Sequence, residues 1–132
     1  MRVDMRDQKN VRDQVHAGLS VLRVQARQIW GNTDHSVNEV VIRLMVGVGD
    51  LARLARDQRT IHETIENKGD GETVRKRICE AVDANNRELK KELGNIIFST
   101  IRWIDDLGLD VLECLDLAIE AQEKFAKSGR PR

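Results

Sequence analysis

Arg87-Glu88-Leu89-Lys90-Lys91-Glu92-Leu93-Gly94-Asn95-Ile96-Ile97-Phe98 lies in the middle of the longest helical pattern in the chain. Around it, apolar residues recur at Val74, Ile78, Val82, Leu89, Leu93, Ile96, Ile97, Ile101, Ile104 and Leu107. Gaps of three and four residues place such positions on one side of an α-helix, so the spacing predicts a buried stripe. A second line, Glu88, Glu92, Asn95 and Ser99, runs beside the first with gaps of four, three and four. Side chains so spaced share a helix face and stand in a row at the edge of the core. A carboxylate followed three residues later by another oxygen donor suits a divalent cation when a second helix supplies further ligands. The plain alternative is a solvated flank, which every amphipathic helix needs.

The remainder of the chain sets bounds on this reading. A length of 132 residues fits one domain, with residues 1–10 and 128–132 expected as flexible tails. Charged residues make up 33% and apolar residues 40%, the balance of an ordinary globular protein, and 22 basic residues offset 22 acidic ones. A net charge of zero removes the simplest electrostatic case for nucleic acid or an acidic membrane as partner. One Pro, two Phe, two Trp and no Tyr leave little material for a β-rich fold. Cys79 and Cys114 have neither CxxC nor Cys/His spacing and read as reduced packing residues of a cytosolic protein. No leader pattern opens the chain and no apolar run approaches membrane-spanning length, so the expected location is cytoplasmic.

Four helices follow from the periodicity. Val11, Val15, Leu19, Leu22, Ala26 and Ile29 form the stripe of a first helix that ends at Trp30, with Gly31 placed for a left-handed residue just past the end. Ser36 and Glu39 have capping-box spacing and start a second helix striped by Val37, Val40, Val41, Leu44, Val48, Leu51 and Ala55. Gly47 and Gly49 inside it each cost about 1 kcal/mol of helix propensity relative to Ala, which points to close approach by another helix or a ligand. This helix is expected to fade near Arg59, with a short extra helix over residues 61–67 and a loop at Lys68-Gly69-Asp70-Gly71. The third helix is predicted from Thr73 to Leu107, with a kink near Ala84-Asn85-Asn86, and Gly108 ends it. Asp110 with Glu113 caps a last helix running from Val111 to about Ala126. No strand competes, and the fold class is all-α.

Two stretches, read together, carry a family resemblance. The first is Trp30-Gly-Asn-Thr-Asp-His35-Ser36-Val-Asn38 followed by Leu44-Met-Val-Gly47-Val-Gly49-Asp50-Leu51-Ala52. The second is Glu92-Leu-Gly-Asn95-Ile-Ile-Phe followed by Leu107-Gly-Leu-Asp110. In this order, over roughly residues 17 to 127, the chain resembles the MazG-like, all-α nucleoside triphosphate pyrophosphohydrolases, which include dCTP pyrophosphatase. The resemblance implies a MazG-like four-helix bundle, oligomeric as a homodimer or homotetramer, and a nucleotide as partner. In that family one helix carries Glu-x-x-Glu and the next Glu-x-x-Asp, and the four carboxylates hold Mg²⁺ ions on a triphosphate that is cut to NMP and pyrophosphate.

The match to those ligands is damaged. Gly47 stands at the first Glu position and Asp50 at the second; Glu92 is retained, and Asn95 replaces the Asp. The segment between Asp50 and Glu92 is longer than the family usually has, and Ala121-Gln122 stands where relatives tend to place Lys-Asn. Mg²⁺ needs only one or two carboxylates when substrate phosphates and waters complete its octahedron. Asp50 and Glu92 therefore suffice for one weakly held ion in the presence of nucleotide, with Asn95 a neutral oxygen and Glu88 the nearby carboxylate placed to compensate. Two closely spaced ions need more negative charge than this set offers.

By the same resemblance Trp30 and His35 match the aromatic and the His near the nucleobase, one to stack and one to hydrogen-bond. The alternative is a Trp closing a helix end and a His wetting a loop. Asn38 positions a phosphate or merely decorates a first helical turn, and Gly47 borders the nucleotide site. Trp103 falls on the exposed side of its helix by periodicity and is assigned to an oligomer interface, whereas His16 and His62 read as surface residues. No Walker loop, dinucleotide Gly-rich turn, zinc pattern or Ser/His/Asp arrangement is present. Three function classes stay open: a weak Mg²⁺-dependent pyrophosphohydrolase, a non-catalytic nucleotide-binding or regulatory module, and a structural helical assembly protein.

Overall fold

Glycine punctuates the chain wherever the backbone turns left-handed: φ is +85° at Gly31, +72° at Gly108 and +67° at Gly129. A Cβ is disfavoured there, so each glycine marks a place where a helix ends. The computed structural model describes residues 5–67 and 71–129. It holds four helices, α1 (Met5–Trp30), α2 (Val37–Asn67), α3 (Glu72–Asp106) and α4 (Val111–Ser128), and no strand among the described residues. The protein is all-α. The Gly31 N–H donates to the Arg27 carbonyl at 2.8 Å, Gly108 to Asp105 at 3.0 Å and Gly129 to Ala126 at 3.3 Å, so freed carbonyls at three helix ends are satisfied. At the start of α4 the Asp110 carboxylate accepts the Glu113 N–H at 3.1 Å, the cap that the spacing predicts.

Several boundaries differ from expectation. α1 already begins at Met5, six residues before the first striped valine. α2 runs on to Asn67 without the break expected near Arg59. No Gly or Pro interrupts residues 50–67, and the Thr60 and Thr64 hydroxyls donate to the carbonyls one turn back, Arg56 and Thr60, without breaking the helix. α3 is continuous through Ala84-Asn85-Asn86, where Asn85 is buried. Of the predicted loop at residues 68–71 only Gly71 is described, and of the predicted tails residues 1–4 and 130–132 lie outside the described residues. Cys79 is exposed, so it is not the packing residue its apolar character suggested; it and the half-buried Cys114 are free thiols.

The helices gather into two compact units that share α3. One is Val37–Ile97, the hairpin of α2 with most of α3; the other combines Met1–Ser36 with Phe98–Arg132. In the hairpin unit, Leu54 is buried. In the other unit Ala26, Ile101, Arg102 and Trp103 are buried. Successive helical residues are about 100° apart, so burial of three in a row covers more than half the circumference of α3 at its end. That overturns the assignment of Trp103 to an exposed interface. Periodicity along α3 assumed a single covered face, and here its last turns are covered on more than one. Elsewhere the stripes are only partly covered, with Leu93 and Ile97 on α3 and Val11 and Val15 on α1 exposed.

Candidate functional site

The hairpin unit sets the geometry of the carboxylate residues. A Cβ added at Gly47 would lie 3.2 Å from Ile96 Cγ1, so the α2 backbone approaches α3 closely at that point. Farther from that contact, Thr60, Ile61 and Thr64 of α2 line one groove with Val74, Arg77 and Ile78 of α3. These pairings fix an antiparallel register. Asp50 follows Gly47 by three residues and Glu92 precedes Ile96 by four, so each shares the face of its neighbour. The antiparallel direction then brings the turn of Asp50 level with the turn of Glu92, and both are half-buried. Asn95 is exposed, and so is Asn38 in the first turn of α2.

Glu88 is already engaged. Its carboxylate lies 2.7 Å from Lys91 Nζ, and that hydrogen bond, helped by the charges of Lys91, Arg53 and Arg87, holds it below the ordinary carboxylate range. Lys91 is raised in turn, first by Glu88 and further by the charge of Glu92. A cation bound at Glu88 would compete with ammonium and guanidinium groups that are already in place. Among the described residues no three His, Cys, Asp or Glu side chains come together as a metal-holding group. What remains, Asp50 and Glu92 with a neutral oxygen at Asn95, offers two carboxylates, and one Mg²⁺ would need one or two where phosphate oxygens and water complete its shell. The protein's own part is to set two carboxylate-bearing turns level on facing helices.

The second unit contains a polar cluster that the apolar stripes do not reveal. Asp106, in the last turn of α3, has a carboxylate with no exposed surface. One oxygen, Oδ1, accepts from Arg102 Nε at 2.6 Å and Arg27 Nη2 at 3.1 Å. The other, Oδ2, accepts from the His35 backbone N–H at 3.1 Å and lies 2.6 Å from His35 Nδ1. Burial alone would raise this carboxyl, but the bonds from Arg102 and from the ring and backbone of His35 outweigh it and hold the group below its ordinary value. Arg102, itself buried, also donates to the carbonyls of Ala26 (3.4 Å) and Thr33 (2.9 Å). Arg27 reaches Asp105 at 2.8 Å, Asp34 at 3.0 Å and the Asn32 carbonyl at 3.2 Å. The segment from Gly31 to Ser36 is thus tied to α1 and α3 by two guanidinium groups.

His35 is therefore a fixed side chain with 17% of its surface exposed, while Trp30, at the last position of α1, is 75% exposed. Arg27, Arg102, Asp105 and Asp106 were not singled out from the sequence. A signal was nevertheless present: Arg102 and Asp106 have i,i+4 spacing, and two consecutive acids close α3 with no basic residue in its last turn. A helix C-terminus disfavours negative charge, so two acids there imply cations supplied from elsewhere in the fold. Compared with known proteins, the chain matches no family model, no curated protein and no solved structure.

Proposed function

We propose that this protein is a MazG-like helical protein that binds a nucleoside triphosphate, with Mg²⁺-dependent cleavage to NMP and pyrophosphate weak or lost. The observation that supports this reading is the antiparallel register about Gly47 and Ile96, which sets the turns of Asp50 and Glu92 level with one another. In this reading Asp50 and Glu92, in one unit, are the residues for an ion on phosphates, and Trp30 and His35, in the other unit, are the residues that the resemblance assigns to a base. The pairing of Glu88 with Lys91 supports binding over turnover in this reading, because the carboxylate placed to compensate for the missing ligands already has a cation beside it. The protein acts as a homodimer or homotetramer, and the apolar side chains left exposed along α2 support that part of the proposal. A purely structural assembly protein would share those exposed faces but would have no use for a fixed imidazole.

The test is a panel of ribo- and deoxynucleoside triphosphates with Mg²⁺ or Mn²⁺, read for thermal shift and for pyrophosphate release. A nucleotide-dependent rise in melting temperature with little or no pyrophosphate is the expected result. Rapid turnover by the parent would show that other groups supply the chemistry, and the absence of both responses would leave the structural reading. Divalent ions alone are expected to bind only in the millimolar range, as few-carboxylate sites do.

A further inference from the structure

Asp106 offers about four lone-pair sites, and four donors occupy them: Arg102, Arg27, and the backbone and ring of His35. A carboxylate so saturated has no capacity left for a metal or for a proton in transit. What it does instead is decide the state of the imidazole. An ionised carboxylate only accepts, so His35 Nδ1 at 2.6 Å must carry the proton. The geometry points to Asp106 as a positioning residue that holds the neutral ring of His35 as the Nδ1–H tautomer, in which Nε2 is a hydrogen-bond acceptor for an N–H of a nucleobase.

Three features make this more than a surface ion pair. The acceptor has no exposed area and Arg102 has 3%, so the pair is shielded from solvent and has little room to rearrange. The His35 backbone N–H is held by the same carboxylate oxygen as its ring, which fixes main chain and side chain together. Finally, Arg102 and Arg27 hold the carbonyls of Thr33 and Asn32, so the loop bearing His35 is shaped before any ligand arrives. Among the described residues no buried side-chain nitrogen or oxygen stands without a partner; with the ring's hydrogen bond made by Nδ1, Nε2 is the nitrogen that meets solvent. The charged groups around the ring are Asp106 and Arg102 of α3, Arg27 of α1 with its partner Asp105, and Asp34 of the loop itself.

This inference rests on the reading of His35 as a base contact, and its test separates the two. Long-range ¹H–¹⁵N spectra of the full chain resolve the tautomer of each of the three histidines, and a His35→Gln variant assigns the relevant signal. In spectra taken where free histidines are neutral, at about pH 8, His35 is expected as the Nδ1–H form, whereas free imidazole side chains favour Nε2–H. Each of the four deoxynucleoside triphosphates is then added, with inorganic triphosphate as the control that lacks a base. At least one nucleotide should move the Nε2 resonance, and inorganic triphosphate should not. Asp106→Leu combined with Arg102→Met replaces the buried pair by apolar groups of similar volume, which buried pairs often tolerate, and Arg27 keeps Asp105 and Asp34 as partners. This double variant should fold, lose the tautomer preference and bind nucleotide at least tenfold more weakly. A wild-type His35 found as Nε2–H, or a folded double variant that binds as the parent does, overturns the positioning role. The Nδ1–H form with no nucleotide moving Nε2 overturns the nucleobase as ligand and, with it, the nucleotide reading of this residue.

Discussion

At the scale of single residues, the contrast between Gly47 and Gly49 gives the first prediction. Both lie within α2, where Ala is worth about 1 kcal/mol more than Gly. A Cβ at Gly49 meets nothing within 4 Å, so Gly49→Ala should gain most of that amount in a urea unfolding curve. At Gly47 the same Cβ comes within 3.2 Å of Ile96 Cγ1, an atom whose position a stiff β-branched rotamer fixes. Gly47→Ala should therefore gain clearly less, or nothing. The same contact bears on the proposed metal site: Gly47→Glu with Asn95→Asp, which gives the ligand pattern of the proteins the chain resembles, must displace Ile96 slightly, and titration calorimetry should still show tighter Mg²⁺ binding than the parent. A folded double variant with no such gain would count against the metal reading of this hairpin. Asp106 gives the second prediction. Asp106→Ala leaves the buried Arg102 without its closest partner and should cost about 3–5 kcal/mol, as breaking buried ion pairs does. Because the folded carboxyl titrates below its unfolded value, its contribution is complete above about pH 4 and is lost as pH falls from there through the folded value. Unfolding midpoints taken between neutral and acid pH should show this loss in the parent and a smaller one in the Asp106→Leu, Arg102→Met variant.

At the scale of elements, the helix ends are held by named groups and each can be removed. Asp110→Ala deletes the side-chain acceptor of the Glu113 N–H and should destabilise the protein by about 1 kcal/mol, with Asp110→Asn close to the parent. The first half of α4 and the first half of α1 face a different situation. Arg12 pairs with Asp116 across them, and this hydrogen-bonded pair raises the guanidinium and lowers the carboxyl. Both groups are about half exposed, so salt should screen the pair and Arg12→Ala should matter little at high ionic strength. What holds α1 to the end of α3 is instead the Arg27 and Arg102 cluster, which is shielded and insensitive to added salt by comparison.

At the scale of the whole molecule, the apolar surface left open is the dominant fact. Val41, Ile42, Met45, Val46 and Val48 are all exposed on α2, and Leu117, Ile119 and Phe125 on α4. Among the described residues only Ala26, Leu54, Ile101 and Trp103 qualify as buried apolar side chains. Contiguous exposed apolar residues on this scale mark interaction surfaces. Sedimentation at micromolar concentration should show a dimer or larger species, and Met45→Glu, which sets a charge among those residues, should shift the protein towards smaller species. A stable folded monomer of the parent would remove the argument. No helix among the described residues is long and apolar enough to cross a membrane, so the surfaces are not explained as spans.

The sequence by itself determined the helices and their punctuation. Gly31, Gly108 and Asp110 act through their own backbone or through a carboxylate three residues from its target, and interactions this local are written in adjacent letters. The spacing of Asp50 from Gly47, and of Glu92 from Ile96, was legible for the same reason. Local spacing did not reveal the continuity of α2 past Arg59, because the stripe weakens there while the backbone ladder simply carries on. The two decisions left to tertiary structure were the burial of Trp103 and the joining of Arg27, His35, Arg102 and Asp106. Both depend on which segments meet around the last turns of α3, and the partners stand about seventy to eighty residues apart in the chain. Periodicity describes one face of one helix, whereas a carboxylate saturated by donors from a helix, a loop and its own turn exists only after the chain has folded.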